Sequence, residues 1–399
     1  MKKLMILGGA RYILPVIEKA HKMGIYVITC DYLPDNIAHK YSDEYLNISI
    51  VDKDAVLEGA KKAKIDGIMS FACDPGVITA AYVAEKMGLP FAGSFEAVSI
   101  LQNKDKFRAF LEKNGFTVPA SGGYTTLEEA LKDTDKFTFP VIVKPVDSAG
   151  SKGVSRVDNV KDLAPAVEFA LKYSIDGRFI IEDFIEKKGF SSDSDSFTVD
   201  GKFQFLSFSD QRFDEKADNP YTPAAYSWPP TMGEEEQAEL KSELQRLADL
   251  LQLKTSVYNI ETRVGANGKP YIMEVSPRGG GNRLSEMLCY ATGVDLIENA
   301  IKGALGEEIT DLKQKPYNGH LAEIILHSEK GGEFKSLWIN EEIKANVVEE
   351  DLWVKSGDEV CGFTGANEAI GTLVLRFDTR EKMEEVLKEQ EKFIKVVLK

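Results

Sequence analysis

The first hundred residues alternate short apolar runs with amphipathic stretches. Leu4 to Leu7 is an apolar run, Tyr12 to Met23 has helical periodicity, and Tyr26 to Cys30 is a second apolar run that ends at Asp31. Such alternation is typical of parallel strands joined by crossover helices. The same pattern predicts a strand over Gly67 to Phe71, a helix over Gly76 to Met87 and a strand over residues 89–93. Residues 1–101 are therefore predicted to form an open α/β domain.

After residue 101 the pattern changes to a mixture of helices and hairpins. A helix is predicted over Asn103 to Asn114, with Gly115 as its C-cap. Asp200-Gly201 and Asn267-Gly268 each separate two strand-like runs, which predicts two hairpins. The remaining predicted elements are strands over 139–144 and 178–185 and helices over 160–173 and 234–251, with two more helices from residues 284 and 295. We assign residues 102–310 to this second domain, with a lid subdomain at about 122–190.

The last ninety residues combine strands with a charged helix. Strands are predicted over Leu321 to His327 and Gly371 to Phe377, and a helix over Thr379 to Glu391. Residues 311–399 are therefore predicted to form a small α+β C-terminal domain.

Composition narrows the possible partners and compartment. The chain has 49 Lys and Arg against 64 Asp and Glu, a formal net charge of −15, which repels a nucleic acid backbone. No apolar stretch approaches the roughly 20 residues that span a bilayer. The four cysteines form no C-x-x-C pair. We expect a cytoplasmic protein that binds neither nucleic acid nor membrane.

Two acidic side chains on the second predicted hairpin indicate a cation site. If the hairpin turns at Asn267-Gly268, Glu261 and Glu274 lie close together on one face of the sheet. Neighbouring carboxylates repel unless a divalent cation neutralises them, and hard oxygen ligands favour Mg2+. Arg278 follows beyond a proline, where a guanidinium can steady phosphoryl or carboxylate charge. The simpler alternative is a surface hairpin with solvated glutamates.

A lysine at a strand end precedes a loop of small residues. The predicted strand 139–144 ends at Lys144, and Asp147 to Val154 reads Asp-Ser-Ala-Gly-Ser-Lys-Gly-Val. Small residues let backbone N–H groups approach phosphate oxygens, while the lysine supplies positive charge. The P-loop pattern is absent, and as an isolated turn this loop is unremarkable. Together with Lys144 it predicts phosphate contact.

Two further segments are suited to nucleotide contact. Lys104 and Lys106 lie in the first turn of the predicted helix over Asn103 to Asn114, where the helix dipole favours anions. Phe179 to Ile185 is an apolar strand in which Glu182 and backbone groups could face an adenine edge. The alternatives are a charged helix face for the lysines and an ordinary core strand for the acidic segment.

Taken in order, these motifs resemble the ATP-grasp superfamily, especially carboxylate–amine ligases of the phosphoribosylglycinamide synthetase, carbamoyl-phosphate synthase and biotin carboxylase type. The resemblance covers nearly the whole chain. It implies α/β and α+β architecture: a Rossmann-like domain ahead of a two-part ATP-grasp module, and a small C-terminal α+β domain. It also implies ATP with Mg2+ or Mn2+, small-molecule carboxylate and amine substrates, and a possible homodimer.

The resemblance also assigns roles to individual residues. Lys104, eleven residues before Gly115 as in the family, and Lys144 correspond to phosphate-contacting lysines, with Lys106 a competitor for the first role. Arg278 corresponds to the catalytic arginine, acting with Lys144. The implied nucleotide-binding residues are Lys104, Lys144, Ser148, Gly150, Ser151, Gly153, Glu182, Asp183, Ile185 and Ser191. The implied metal ligands are Glu261, Glu274 and Ser276.

The sequence departs from the family pattern at two positions. Many relatives have Glu-x-Asn-Pro-Arg where this chain has Glu274-Val275-Ser276-Pro277-Arg278, so Ser276 or water is expected as the third metal ligand. The Gly-x-Glu that holds ribose is replaced by Gly189-Phe190-Ser191, for which Glu186 is a possible substitute.

The carboxyl ends of the first-domain strands are expected to face the substrate. The predicted substrate residues are Gly9, Arg11, Asp74, Arg278 and Arg283. Together these predictions describe an ADP-forming carboxylate–amine ligase, with phosphoribosylamine–glycine ligase as one candidate activity. Two alternatives remain: an ATP-binding regulatory protein without turnover, and a nucleotide-dependent oxidoreductase. The latter is disfavoured because Gly8-Gly9-Ala10-Arg11 lacks G-x-G-x-x-G.

Overall fold

The N-terminal domain is an open parallel sheet with helices packed on it. A computed structural model describes residues 1–217 and 219–399. The four strands of the N-terminal domain are β1 (Lys3–Leu7), β2 (Tyr26–Asp31), β3 (Glu44–Asn47) and β4 (Gly67–Ser70), and their order in the sheet is β3-β2-β1-β4. The helices are α1 (Leu14–Lys22), α2 (Lys53–Ala63), α3 (Pro75–Met87) and α4 (Phe95–Gln102). This arrangement confirms the predicted α/β class of the first domain.

Strand β1 shows why the apolar run is continuous rather than alternating. Leu4 and Ile6 belong to one hydrophobic core, whereas Met5 and Leu7 belong to the core on the opposite face of the sheet. A parallel strand covered on both faces needs apolar side chains at every position. The run is therefore the interior strand of a sheet.

The middle of the chain begins with a small antiparallel sheet backed by a helix. The helices of this region are α5 (Lys104–Lys113), α6 (Leu127–Lys132) and α7 (Leu163–Tyr173). The strands are β5 (Ser121–Tyr124), β6 (Val141–Pro145), β7 (Ser155–Val157) and β8 (Phe179–Asp183), in the order β5-β8-β6-β7. Val167 and Ala170 of α7 pack on Val141 and Val143, which makes this lobe a unit with its own core.

A second antiparallel sheet faces the first lobe. Its strands are β9 (Ser192–Val199), β10 (Lys202–Leu206), β13 (Ser256–Val264) and β14 (Pro270–Ser276), in the order β10-β9-β13-β14. Between them along the chain lie β11 (Asp210–Phe213), β12 (Pro223–Trp228) and α8 (Glu234–Leu250). Leu240, Leu244 and Leu247 form the buried stripe of α8, at the spacing of one helix face. Helices α9 (Leu284–Thr292) and α10 (Leu296–Ala304) complete the region.

The C-terminal region shares a sheet with the middle region. Its strands are β15 (His320–Leu326), β16 (Gly332–Ile339), β17 (Val347–Leu352), β18 (Glu359–Val360), β19 (Gly371–Phe377) and β20 (Ile394–Leu398). Its helices are α11 (Glu341–Lys344), α12 (Arg380–Lys388) and α13 (Gln390–Phe393). One sheet has the order β11-β12-β15-β19-β17, and a smaller one has the order β18-β16-β20. Strands on both sides of the predicted 310/311 boundary therefore belong to one sheet.

Two local predictions were wrong. Residues 89–93 form no strand, because Pro90 has no N–H for a ladder and the Ala92 carbonyl accepts instead from the Lys254 amide and the Tyr258 hydroxyl. The C-terminal charged segment is broken into α12 and α13 and is followed by β20. Within the described ranges, no helix combines the length and apolarity needed to cross a bilayer.

The close approach of α10 to β4 can be tested with one substitution. A Cβ at Gly67 would overlap the carbonyl oxygen of Ala304 and lie 2.9 Å from a methyl carbon of Leu305. Because backbone atoms cannot move aside cheaply, we expect Gly67→Ala to destabilise the protein by about 1–3 kcal/mol. Thermal unfolding followed by circular dichroism measures the shift in midpoint.

Gly303→Ala is the matched control on the facing helix. Its added methyl would meet no atom closer than 3.7 Å, and alanine has the higher helix propensity. The control should leave the midpoint unchanged or raise it. Equal midpoints for Gly67→Ala and the unmodified protein would show that this contact does not constrain the fold.

Candidate functional site

Three carboxylates form one row across the sheet that contains β9, β13 and β14. Asp193 pairs with Glu261 in register, and Glu261 pairs with Glu274. Directly paired residues on neighbouring strands point to the same face. Asp193 is buried, and the two glutamates are partly buried. The register predicted for the two glutamates is therefore present, and a third acid extends the row.

Burial and mutual repulsion disfavour the ionised forms of Asp193 and Glu261 in this row. Burial, together with the charges of Asp193 and Glu274, raises the pKa of Glu261 to about 8. Burial likewise raises the pKa of Asp193. A bound cation would reverse these shifts, because it favours the ionised carboxylates.

Lys104 supplies the nearest positive charge to this row. Its Nζ lies 3.3 Å from Oε2 of Glu274 and donates to the carbonyl oxygen of Ser148 over 3.0 Å. Burial opposes the lysine charge, but the surrounding carboxylates, Glu274 foremost, outweigh burial and raise the pKa of Lys104. Lys106 is exposed, so of the two lysines considered for this role only Lys104 faces the row.

Lys144 belongs to a second, buried ion cluster. Its ammonium group pairs with one oxygen of Glu182, and Nε of Arg108 donates to the other oxygen over 3.0 Å. Burial disfavours ionised Glu182, but Lys144 and Arg108 outweigh it and hold the pKa of Glu182 at about 2. Burial lowers the pKa of Lys144 despite the opposing charge of Glu182. The carboxylate predicted to face adenine is therefore engaged by two cations.

Arg278 is held at the boundary between the N-terminal domain and the carboxylate sheet. Its Nε and Nη2 donate to the two oxygens of Asp74 over 3.0 and 2.7 Å, a bidentate pair. Ser276 donates to Asp74 over 3.0 Å and accepts from Gln102 over 2.7 Å. The Ser276 hydroxyl, predicted as a third metal ligand, is thus engaged with Asp74 and Gln102. Asp74, Ser276 and Arg278, all predicted site residues, lie together.

Sequence reasoning missed the acids of β9. Asp195 lies two residues from Asp193, on the same face of the strand. It accepts hydrogen bonds from the Gly280 amide over 2.8 Å and from the Ser285 hydroxyl over 2.5 Å. Asn259 donates to both aspartates, over 2.6 Å to Asp193 and 3.2 Å to Asp195. The signal was the alternation Ser-Asp-Ser-Asp-Ser over residues 192–196, which places both acids on one face of a strand.

The predicted phosphate loop lies over Lys104. Gly150, Ser151 and Gly153 have positive φ values of 67°, 57° and 72°. The Ser151 hydroxyl donates to the Tyr221 carbonyl over 2.9 Å, and the Ser148 carbonyl receives the Lys104 bond. The loop therefore connects the first lobe to the segment that leads into β12.

The predicted adenine segment runs from one lobe to the other. Asp183 accepts from the Thr138 amide over 2.8 Å at the edge of the first lobe. Arg263 of β13 donates to the Ile185 carbonyl and to the Ser191 hydroxyl, each over 3.1 Å. Asp183, Ile185 and Ser191 therefore line one connection between the two sheets, and their nucleotide contacts remain predictions.

The other predicted substrate residues lie farther from the carboxylate row. The Arg11 guanidinium lies over the Trp353 ring, 5.4 Å from its centre. Arg283 pairs with Glu286 over 2.8 Å and with Glu349 over 2.6 Å, so it faces the C-terminal region. Gly9 packs its backbone against the His39 ring. Arg11 and Arg283 therefore both contact residues of the C-terminal region.

The residues present fit a divalent cation that is shared with a ligand. Among residues 1–217 and 219–399, no group of three or more His, Cys, Asp or Glu side chains is arranged to hold a metal ion alone. Mg2+ usually binds through one or two carboxylates together with phosphate oxygens and water. Glu261 and Glu274 provide such a pair, and a cation bound there would offset the burial and repulsion that raise the pKa of Glu261.

Two lobes that face each other, with lysines on one side and carboxylates on the other, define a nucleotide-clamping class of protein. Residues 137–286 match the family model of the ATP-grasp domain. In sequence, the chain is 24% identical to the carbamoyl phosphate synthase large chain of Pseudothermotoga lettingae over 325 residues. This alignment covers 79% of this chain and 28% of that protein. The chain thus spans less than a third of that relative's length.

Solved structures share the fold over the whole chain. L-amino acid ligase from Bacillus licheniformis superposes with a TM-score of 0.81 at 21% identity. The superposition covers 100% of this chain and 99% of the ligase chain. Phosphoribosylglycinamide synthetase from Anaerococcus prevotii gives a TM-score of 0.76 at 21% identity and covers 100% of both chains. These comparisons confirm the resemblance that the sequence motifs predicted: residues 137–286 match the ATP-grasp domain model, and the solved structures share the fold.

The buried ion cluster of Glu182 yields a stability prediction. Glu182→Gln leaves Lys144 and Arg108 without their buried counter-charge, so we expect a loss of about 3–5 kcal/mol near neutral pH. Ionised Glu182 stabilises the fold fully above its ordinary pKa of 4.5, and this contribution is lost as the pH falls through about 2. The difference between the two proteins should therefore shrink over this range in denaturant titrations.

Glu128→Gln serves as the control. Glu128 pairs with Lys132 on an exposed helix surface, where an ion pair contributes little. A stability difference between Glu182→Gln and the unmodified protein that stays constant from pH 7 to acid would contradict the assigned ion cluster.

Proposed function

We propose that this protein is an ATP- and Mg2+-dependent ligase that converts a carboxylate into an acyl phosphate and joins it to an amine. The observation that carries the proposal is the row of Asp193, Glu261 and Glu274, faced by Lys104 and lying near Lys144. Excess negative charge opposite lysines suits a metal-bound triphosphate.

The lysines of the site are suited to hold phosphoryl oxygens. Lys104 and Lys144 are both largely buried and each is already paired with a carboxylate, Glu274 and Glu182. Phosphate oxygens can replace those partners, so the ammonium groups would stabilise charge that develops as the γ-phosphoryl group is transferred. Mg2+ held by Glu261 and Glu274 would neutralise further charge on the triphosphate.

Arg278 is suited to orient the carboxylate that is activated. Its bidentate bond to Asp74 fixes the guanidinium beside Glu274, and the charge of Asp74 raises the pKa of Arg278 against the effect of burial. A fixed guanidinium in a buried site stabilises an anion without reorganisation in the transition state. The amine would then displace phosphate from the acyl phosphate.

The glycine-bearing loop is suited to close over the phosphates. Gly150 and Gly153 adopt positive φ, which allows backbone N–H groups to turn toward an anion. The Ser151 hydroxyl bond to Tyr221 ties this loop to the opposite lobe. Excluding water here would protect an acyl phosphate from hydrolysis.

The substrates of the relatives set the range to be tested. The superposed structures carry the names phosphoribosylglycinamide synthetase and L-amino acid ligase, and the sequence relative is a carbamoyl phosphate synthase. A phosphoribosylamine–glycine pair, pairs of amino acids and bicarbonate with ammonia are therefore the first substrates to assay. A coupled ADP-release screen with mass spectrometry of the product identifies the pair.

Two substitutions test the proposed chemistry. We expect Glu274→Ala and Arg278→Ala each to lower kcat at least ~10²-fold, the scale of losing one preorganised charge partner. Glu274→Ala removes a metal ligand, and Arg278→Ala removes the oriented guanidinium. Steady-state ADP release on the substrate pair from the screen measures both effects.

Glu239→Ala, an exposed acid of α8, is the control and should retain full activity. Near-normal ADP release by both site variants would exclude this site. Mg–ATP binding by calorimetry without ADP formation on any pair would instead favour the regulatory ATP-binding alternative.

A further inference from the structure

Glu323 is a buried carboxyl group without a hydrogen-bond partner. It lies in β15, has no exposed surface, and neither of its side-chain oxygens contacts a donor among the described residues. Buried side-chain oxygens in folded proteins are nearly always hydrogen-bonded. It is therefore unusual that both oxygens of the Glu323 carboxyl group are unpaired, and this arrangement needs a physical cause.

Neither protonation state satisfies this group within the described part of the chain. The ionised form leaves two strong acceptors unpaired, and the protonated form has an O–H with no acceptor beside it. Burial raises the pKa of Glu323 well above its ordinary value, and Arg283 opposes that shift only in part. No group among residues 1–217 and 219–399 completes the position.

Glu323 faces the same interior as the carboxylate row. It is the direct partner of Tyr226 in β12, so the two side chains point to one face of the shared sheet. The Tyr226 hydroxyl donates to Asp193 over 2.9 Å, and Asn282 donates to that hydroxyl over 3.4 Å. Tyr12 in turn donates to Asn282 over 3.3 Å. The unpaired carboxyl group is thus connected to the proposed chemical centre through Tyr226.

The charges around Glu323 leave a deficit of positive charge. The titratable groups that act on it are one cation, Arg283, and two acids, Glu286 and Glu349. Arg283 already pairs with Glu286 and Glu349 and donates to the Thr372 hydroxyl over 2.7 Å. Most of its guanidinium hydrogens are therefore engaged, and Glu323 has no ion-pair partner among the described residues.

Neutral groups near Glu323 are also suited to a cation. Burial, with the charge of Glu323, raises the pKa of Tyr12, so its phenol stays neutral and offers an oxygen lone pair. The Trp353 ring packs edge-to-face on Tyr12, with 5.7 Å between ring centres. Tyr12 of the first domain, Arg283 at the start of α9 and Trp353 of the C-terminal region thus lie around Glu323.

We infer that Glu323 binds the ammonium group of an amine-bearing substrate, and this inference rests on the proposed ligase function. A primary ammonium has three donors and can satisfy both carboxyl oxygens while supplying the missing positive charge. The side chains around Glu323, Tyr12 among them, must shift to admit the ligand.

Binding of small ammonium compounds tests this assignment. Calorimetry or thermal shift in the presence of saturating Mg–ADP would use glycine and methylammonium chloride as probes, with sodium acetate and sodium chloride at equal ionic strength as references. We expect both ammonium probes, and neither reference salt, to stabilise the protein. Glu323→Gln should weaken their binding about 10- to 100-fold, the scale of one hydrogen bond to a charged group.

Matched variants separate binding from folding. Glu350→Gln changes an exposed acid of β17 and should bind both probes normally. Glu323→Asp keeps the charge but withdraws the oxygens, so it should bind the probes more weakly than the unmodified protein and remain folded. Infrared difference spectra give an independent readout: the probes should remove a protonated-carboxyl band in the unmodified protein, and this change should be absent in Glu323→Gln.

The results that overturn the inference differ from those that overturn the ligase function. Equal binding of glycine and methylammonium by Glu323→Gln and the unmodified protein would refute the assignment, as would no binding of either probe. Stabilisation by Mg2+ alone that disappears in Glu323→Gln would assign the position to a metal and also refute it. Failure of the ligase function appears separately, as absence of ADP formation with Mg–ADP binding intact.

Discussion

The site depends on the repulsion among Asp193, Glu261 and Glu274, which the sheet holds side by side on three neighbouring strands. Side chains in one row of a sheet cannot move apart without breaking the register, so their charges must be compensated from outside. Lys104, in the first turn of α5, compensates part of this negative charge. Burial and the neighbouring acids raise the pKa of Glu261 to about 8, and a bound cation would favour the ionised carboxylates instead, so this sheet is suited to a metal-bound anion.

Each positive group of the site already has an acidic partner in the free protein. Lys104 pairs with Glu274, Lys144 pairs with Glu182, and Arg278 pairs with Asp74. Buried charges without partners are strongly unfavourable, so these pairs keep the cleft stable before any ligand arrives. Binding a triphosphate then exchanges one set of partners for another, and the side chains are already held near the positions that the exchange needs.

The sequence predicted best what local chain geometry determines. The Asn267-Gly268 turn starts the pairing of β13 with β14, and a β-bulge between Glu261 and Thr262 then shifts the register so that Glu261 lies opposite Glu274. Long-range pairing was not accessible: β9 lies beside β13, although about sixty residues separate them along the chain, so Asp193 and Asp195 were missed. The side-chain partners of Lys144 and Ser276 were likewise unpredictable, because they come from elements distant in sequence.

The C-terminal region illustrates the same limit with a larger consequence. From sequence it is a separate α+β unit, but β15 pairs with β12, so that one sheet joins β11 and β12 of the middle region to β15, β19 and β17 of the C-terminal region. A strand in a shared sheet must present alternate side chains to the interior that its neighbours face. Glu323 therefore faces the same interior as Tyr226 because of pairing across the predicted boundary. The C-terminal region thus places beside Tyr226 one buried acid that has no hydrogen-bond partner in the described part of the chain.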